Sequence, residues 1–227
     1  IFNFLTNDMS AFYLDFAKDI VYIETANSTD RRRMQTVMYE ILVKLTKLLV
    51  PIVPHTSEEI WTYLEQEEEA YAYLTEMPSA DVIPDAAEIL DFWSAFLEFR
   101  TGVHKALEMA RDEKVIGKSL EASVMVYPDE AVKVLLASVA ETEDVATLLI
   151  VSELIVSDQA APEDAVKVGD TAITVNHAVG GVCQRCRRID ESVGTNANAH
   201  LVELCEHCAS IVTLEFPEAA AEGFESK

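Results

Sequence analysis

The sequence predicts a mainly α-helical chain: a helical bundle, then a small α+β domain, then a compact C-terminal module built on four cysteines. Three observations carry that expectation. Apolar residues recur at three- and four-residue spacing through most of the first 113 positions, the mark of amphipathic helices. Beyond residue 120, short alternating segments rich in Val, Ile and Thr read as strands. All four cysteines fall between positions 183 and 208.

Residues 8–23 read as a helix, with Met9, Phe12, Phe16, Ile20 and Ile23 along one side. Asn27, Ser28, Thr29 and Asp30 form a turn cluster rich in helix-capping side chains. The next helix carries an apolar stripe of Met34, Val37, Met38, Ile41, Leu42, Leu45, Leu48 and Leu49, and Pro51 and Pro54 end it. Thr56 with Glu59 suggests a capping box for a third helix through Ile60, Trp61 and Leu64. Residues 66–84 are acidic, contain Pro78 and Pro84, and read as a connector. A long helix over about 85–113 should bury Ile89, Trp93, Phe96, Leu97, Val103 and Leu107, with Gly117 just past its end. Residues 123–127, 148–156 and 171–179 read as strands and 129–141 as a helix. Gly180-Gly181 reads as a hinge. The expected division is 1–78 helical bundle, 79–121 connector and long helix, 122–181 α+β domain, 182–214 cysteine module, and 215–227 a frayed acidic tail.

Charge argues against a polyanionic partner at first sight. Seventeen Lys and Arg face 40 Asp and Glu, a net charge of −23, and such a field repels phosphates. The acids are clustered, however. Residues 58–69 hold six Glu and no base, whereas 31–47 hold five bases and 183–188 hold three arginines. A local basic face is therefore compatible with the total. No apolar run reaches the roughly 18 residues of a membrane span. The chain opens on Ile1 with no basic segment leading into an apolar one, so no signal peptide is expected. The missing Met suggests a piece of a longer polypeptide.

The cysteines carry the sharpest signal. Cys183-x2-Cys186-x18-Cys205-x2-Cys208 is a zinc-site spacing. Each short knuckle turns two thiolates inward, and two facing knuckles close a tetrahedron. A pair of disulfides would need an oxidising compartment, for which the sequence gives no sign. A redox Cys-x-x-Cys would need no matching second pair. We expect one structural Zn²⁺ with no open coordination position, hence no chemistry at the metal. His200 and His207 are expected to be bystanders. So short a module has too little apolar surface to fold alone, and metal binding would supply on the order of 10 kcal/mol.

Catalytic motifs are missing. Gly117-Lys118-Ser119 ends like a phosphate-binding loop, but position 112 is Asp where that loop needs Gly. No His-Glu-x-x-His or Gly-x-Ser-x-Gly occurs. Glu58-Glu59 is explained by a helix start.

Three stretches do carry a resemblance. Pro51-Ile-Val-Pro-His-Thr-Ser-Glu-Glu-Ile-Trp61 resembles a segment of the helical anticodon-binding domain in the valine, leucine and isoleucine members of the class I aminoacyl-tRNA synthetases. Ala110-Arg-Asp-Glu-Lys-Val-Ile-Gly-Lys-Ser-Leu-Glu-Ala122 resembles the segment that follows this domain in bacterial isoleucyl-tRNA synthetases. Ser10-Ala-Phe-Tyr-Leu-Asp-Phe-Ala-Lys-Asp-Ile20 is similar to their helix entering the bundle. The four-cysteine module fits the isoleucine enzymes and separates them from the other two.

The resemblance, covering about 8–212, implies the C-terminal part of such a synthetase. It implies recognition of isoleucine tRNA at the anticodon stem-loop by a cytoplasmic, monomeric enzyme. The ATP and Mg²⁺ chemistry, and editing, would lie in domains outside this sequence, because neither nucleotide-handling motif of the family occurs here. The candidate RNA contacts are Arg31, Arg32, Arg33, Lys114, Lys118, Arg185, Arg187 and Arg188. Relatives often place an aromatic residue directly after the second cysteine. Arg187 stands there instead, a flat cation able to lie over a base or pair with phosphate. None of the three knuckle arginines is a ligand, so the module is expected to tolerate their loss. The competing reading is a non-enzymatic acidic zinc-ribbon adaptor that binds protein.

Overall fold

In the computed structural model, which describes residues 1–64 and 69–223, the chain divides into two units: residues 1–25 with 85 onward, and residues 26–84. No helix among the described residues is long and apolar enough to cross a membrane.

The first unit opens with a helical run, π-helical over Phe4–Tyr13 and passing into α1, Leu14–Ile23. It begins before the expected residue 8, since the Leu5 N–H already donates to the Ile1 carbonyl at 2.9 Å. Its aromatic side meets the long helix α4, Ala86–Asp112, with ring centroids of Phe12 and Trp93 6.4 Å apart. Along α4, Phe96, Phe99, Val103, Ala106, Leu107 and Ala110 are buried, one face of a helix at three- and four-residue steps. The buried stripe starts later than the sequence suggests: Ile89 is 45% exposed. The helix ends in a Schellman motif. Lys114 N–H donates to the Arg111 carbonyl at 3.0 Å, and Val115 N–H to the Ala110 carbonyl at 2.9 Å. The left-handed residue is Lys114, at φ 62°, not the expected Gly117.

A four-stranded sheet packs on α4 in the order β2-β1-β4-β3. Its members are β1 Ala122–Tyr127, β2 Glu153–Val156, β3 Val166–Val168 and β4 Thr171–His177. β1 runs parallel to β2, in register Ser123 with Glu153, and antiparallel to β4, in register Val124 with Val175. The parallel pair requires a crossover, supplied by α5, Glu130–Ala140, and α6, Val145–Leu149. Val124, Val126 and Ile173 are fully buried.

The crossover corrects the expected strand over 148–156. Asp144 caps α6 by accepting from Ala146 N–H at 3.1 Å. Leu148, Leu149 and Val151 are buried on that helical turn and just past it. Ile150, at φ 58°, closes it as Val151 N–H donates to the Ala146 carbonyl at 3.0 Å. A short continuous apolar run has no period that separates strand from helix, and here the cap decided.

In the second unit, α2, Thr29–Leu49, is capped by Ser28, whose hydroxyl oxygen accepts from Arg31 N–H at 3.4 Å. The expected stripe on α2 is rotated. The unit's core of Trp61, Leu64 and Ala72 takes Tyr39, Val43 and Val50 from this segment, while Val37, Leu42 and Leu48 are exposed. Thr46 lies fully buried between Val43 and Val50, its hydroxyl donating to the Leu42 carbonyl at 2.8 Å. Each residue turns a helix by about 100°, so a one-residue offset selects a different face. The capping box at Thr56 is not formed: α3, Pro54–Trp61, starts at Pro54, so Thr56 is already inside it. Glu58 instead braces the 3₁₀ turn Ala72–Leu74, accepting from Ala72 N–H at 3.1 Å and Tyr73 N–H at 2.9 Å. Residues 65–68, which hold part of the acidic run, and residues 224–227 of the expected tail lie outside the described residues.

Gly102 is where α4 meets the sheet. A methyl there would stand 2.8 Å from Val168 Cγ2 and closer still to Cγ1. Gly102→Ala gains about 1 kcal/mol of helix propensity but overpacks a β-branched neighbour, costing about 1–3 kcal/mol. The net expectation is a loss of about 1 kcal/mol, read as a lower urea midpoint with unchanged slope.

Candidate metal centre and nucleic-acid interface

The cysteine module grows from a small hairpin. Strand β5, Gly181–Val182, pairs antiparallel with β6, Ile189–Asp190. The loop between them is the first knuckle. Cys183 N–H donates to the Arg188 carbonyl and Arg187 N–H to the Cys183 carbonyl, both at 2.9 Å. That turn needs a left-handed residue after Cys186, and Arg187 takes it at φ 67°.

The second knuckle opens α7, Glu206–Glu215, with Cys205 as its N-cap and Cys208 in its first turn. A helix N-terminus favours thiolate. Gln184 N–H donates to the Glu203 carbonyl at 3.0 Å and brings the knuckles together.

The four Sγ atoms lie within 4.8 Å of one another, and Cys186 and Cys205 are 3.8 Å apart. Four sulfurs at about 2.3 Å from a tetrahedral centre are roughly 3.8 Å apart, so the cage has the dimensions of a metal site. None of the four is in a disulfide. Cys183, Cys205 and Cys208 are buried and Cys186 is half-buried. Hydrogen bonds from Cys186, Cys205 and Cys208 push the Cys183 thiol down from its ordinary value. Cys205 is held at about 7: its contact with Cys183 raises it, but those with Cys186 and Cys208 outweigh that. Contacts within the thiol set push Cys186 and Cys208 upward. Ionising all four together therefore calls for a cation among them.

Around the sulfurs, Leu201, Leu204, Ala209, Val212 and Ala220 are buried, with Ile23 and Val193 packed alongside. Ala220 belongs to α8, Pro217–Glu222, whose carbonyl there accepts from the Asn198 side-chain amide at 2.7 Å. The stretch expected to fray is, up to Glu222, a helix closing the module. The group of metal-capable side chains here consists of cysteines; His207 Nε2 faces Glu24 Oε1 at 2.9 Å, and His200 is exposed.

The candidate basic residues separate into two sets. Arg185 turns inward, Nη2 donating to the Ile23 carbonyl at 2.6 Å and Nη1 lying 3.7 Å from Cys208 Sγ. Arg188 also turns inward, pairing with Asp144 at 3.1 Å and donating to Thr147 Oγ1. Burial would raise the Asp144 carboxyl, but hydrogen bonds from Thr147 and Arg188 and the Arg188 charge outweigh it, leaving it below its usual range. These two arginines tie the module to α1 and α6, contacts that the expectation of a module tolerant to their loss did not include. Arg187 is exposed, its guanidinium donating to Gln184 Oε1 at 2.8 Å. Lys114 and Lys118 are exposed beyond the end of α4. Arg31, Arg32 and Arg33 lie in the first turns of α2; Arg32 reaches Asn27 at 3.3 Å, and Arg33 pairs with Asp30 at 3.7 Å.

Residues 1–126 match the model of the anticodon-binding domain of tRNA ligases. The chain is 60% identical to the isoleucine–tRNA ligase of Lactococcus lactis subsp. lactis strain IL1403, an alignment covering 99% of this chain and 24% of that protein. It is 58% identical to the isoleucine–tRNA ligase of Streptococcus sanguinis strain SK36 over 100% of this chain and 24% of that protein. The corresponding Streptococcus mutans protein is 57% identical over the same shares. The chain thus spans about a quarter of the length of these relatives.

Gly180 fixes the entry to the module. At φ 124°, a methyl there would stand 2.6 Å from the Glu191 backbone nitrogen and closer still to the Asp190 carbonyl. Gly180→Ala therefore costs about 3 kcal/mol through strain and clash with backbone. Limited proteolysis should cut the variant within residues 181–215 well before the parent.

Proposed function

Since this chain belongs to the anticodon-binding domain family of tRNA ligases, we propose that it is the tRNA-gripping part of an isoleucine–tRNA ligase. The observation that carries the reading is identity of 60% to such a ligase across nearly the whole chain, cysteine module included. In the complete enzyme, isoleucine would be activated with ATP and Mg²⁺ and joined to its tRNA at residues outside this sequence. This part would hold the anticodon stem-loop of the isoleucine tRNA so that the acceptor end reaches that site. The enzyme would act as a cytoplasmic monomer.

Cys183, Cys186, Cys205 and Cys208 would hold one Zn²⁺. Four thiolates fill its tetrahedron, so its contribution is to close the two knuckles on each other. Residues 182–214 would be a structural accessory to the helical grip.

For the RNA contacts we favour Arg187, Lys114 and Lys118, which are exposed, together with Arg31, Arg32 and Arg33. Arginines in the first turns of α2 sit at the positive end of its dipole, where they cost stability. A phosphate seated there would offset that cost. Arg185 and Arg188 are engaged within the fold and serve it from inside.

Two measurements test this reading. Elemental analysis should find one zinc per chain. Zinc should be retained at neutral pH and released as pH falls, because each ligand must remain deprotonated; a metal-free protein at neutral pH would refute the assignment. In tRNA titrations, Arg187→Ala should weaken binding of the isoleucine tRNA several-fold and reduce the salt slope by about 1. Equal binding of unrelated tRNAs by the parent chain would remove the recognition role.

A further inference from the structure

Arg185 stands between the metal cage and the end of a helix. Its guanidinium forks, with Nη1 3.7 Å from Cys208 Sγ and Nη2 2.6 Å from the Ile23 carbonyl oxygen. Ile23 is the last residue of α1, so its carbonyl is one of those a helix leaves without an internal partner. The negative end of the helix dipole lies there as well.

The other end of the fork meets a different need. Zn²⁺ with four thiolates carries a net double negative charge in a largely buried cage. N–H groups aimed at the sulfurs spread that charge. Cys208 receives the Arg185 guanidinium, a donor that also brings a full positive charge. The rest of this contact is built to match. The Ile23 side chain packs against the cysteine core, and Glu24 meets His207 in the first turn of α7. Beyond Thr25 the chain enters the unit of residues 26–84.

We propose that Arg185 is a positioning residue that couples metal occupancy of the cysteine cage to the last turn of α1. The metal-bound thiolate at Cys208 holds the guanidinium, and the guanidinium holds the Ile23 carbonyl. Coupling of this kind is reciprocal, so fixing the helix end strengthens metal binding by the same factor. The inference rests on the zinc assignment above and extends it beyond the four ligands.

The test uses the full 227-residue chain loaded with zinc. Zinc affinity is measured by competition with a chromophoric chelator, and amide exchange is followed at residues 20–24. Arg185→Met should weaken zinc binding 10-fold or more, the usual effect of losing an outer hydrogen-bond partner. It should also speed exchange in the last turn of α1. Lys105→Met, at an exposed position on α4, should change neither. Unchanged affinity in Arg185→Met overturns the proposal, leaving Arg185 a helix cap alone. Weaker affinity with unchanged exchange overturns it too, since nothing then passes to α1. If Arg185→Met does not fold, Arg185→Lys decides: one nitrogen replaces a fork, so at least one of the two values should move, and both at parental values overturns the proposal. A parent chain that binds no zinc overturns this inference and the metal assignment together. Zinc binding by the parent with no effect of Arg185→Met removes the inference alone.

Discussion

Four thiols crowded within 4.8 Å of one another are the constraint on which the C-terminal region depends. The apolar side chains around them are few and mostly small or medium in size: Leu201, Leu204, Ala209, Val212 and Ala220. A cluster of that size does not outweigh the entropy of ordering several loops. It is buried because two knuckles, one on a hairpin and one on a helix N-terminus, are brought face to face. Further hydrogen bonds hold the segments between and after the knuckles. Asn198 binds the α8 backbone, Gly194 N–H reaches the Val202 carbonyl, and Ser192 Oγ accepts from Glu206 N–H.

The features legible in the sequence were those decided locally. The cysteine spacing is local at both ends, and the cage forms from the four expected residues. α4 and α5 lie within a residue or two of their expected limits, because their apolar steps are long enough to fix the period. The features that escaped were decided by packing. The stripe on α2 has apolar residues on several sides, and the partners around Trp61 selected Tyr39, Val43 and Val50. Ile150 in a left-handed conformation runs against the preference of a β-branched residue, and only the Asp144 cap and the burial of Leu148, Leu149 and Val151 explain it. Strand β3, with three residues, is too short to show alternation.

The knuckle arginines show the same limit within the candidate site. In sequence they are three equivalent bases in six positions. In the fold, backbone geometry assigns each a different direction. Arg187 occupies the left-handed turn and faces out, whereas Arg185 and Arg188 flank it and reach inward to Ile23 and Asp144. Composition can count cations near a metal site; it does not say which of them the fold has already used.

That distinction bears on how so acidic a chain would grip RNA under the proposed function. A net charge of −23 opposes binding that is blind to sequence, the kind that depends on summed charge. Many bases are also answered locally: Lys18 by Asp15, Lys44 by Glu40 and Asp81, Lys133 by Asp158. What remains for an RNA is a small number of placed cations rather than a field. Salt of about 0.15 M screens charges beyond roughly 8 Å, so each such cation acts within its own neighbourhood. A wrong RNA then meets repulsion that no contact offsets, while the right one meets a few contacts at close range. Under that reading the acidic surface would lower the affinity of every RNA alike, and discrimination would rest on the placed contacts, which alone differ between partners.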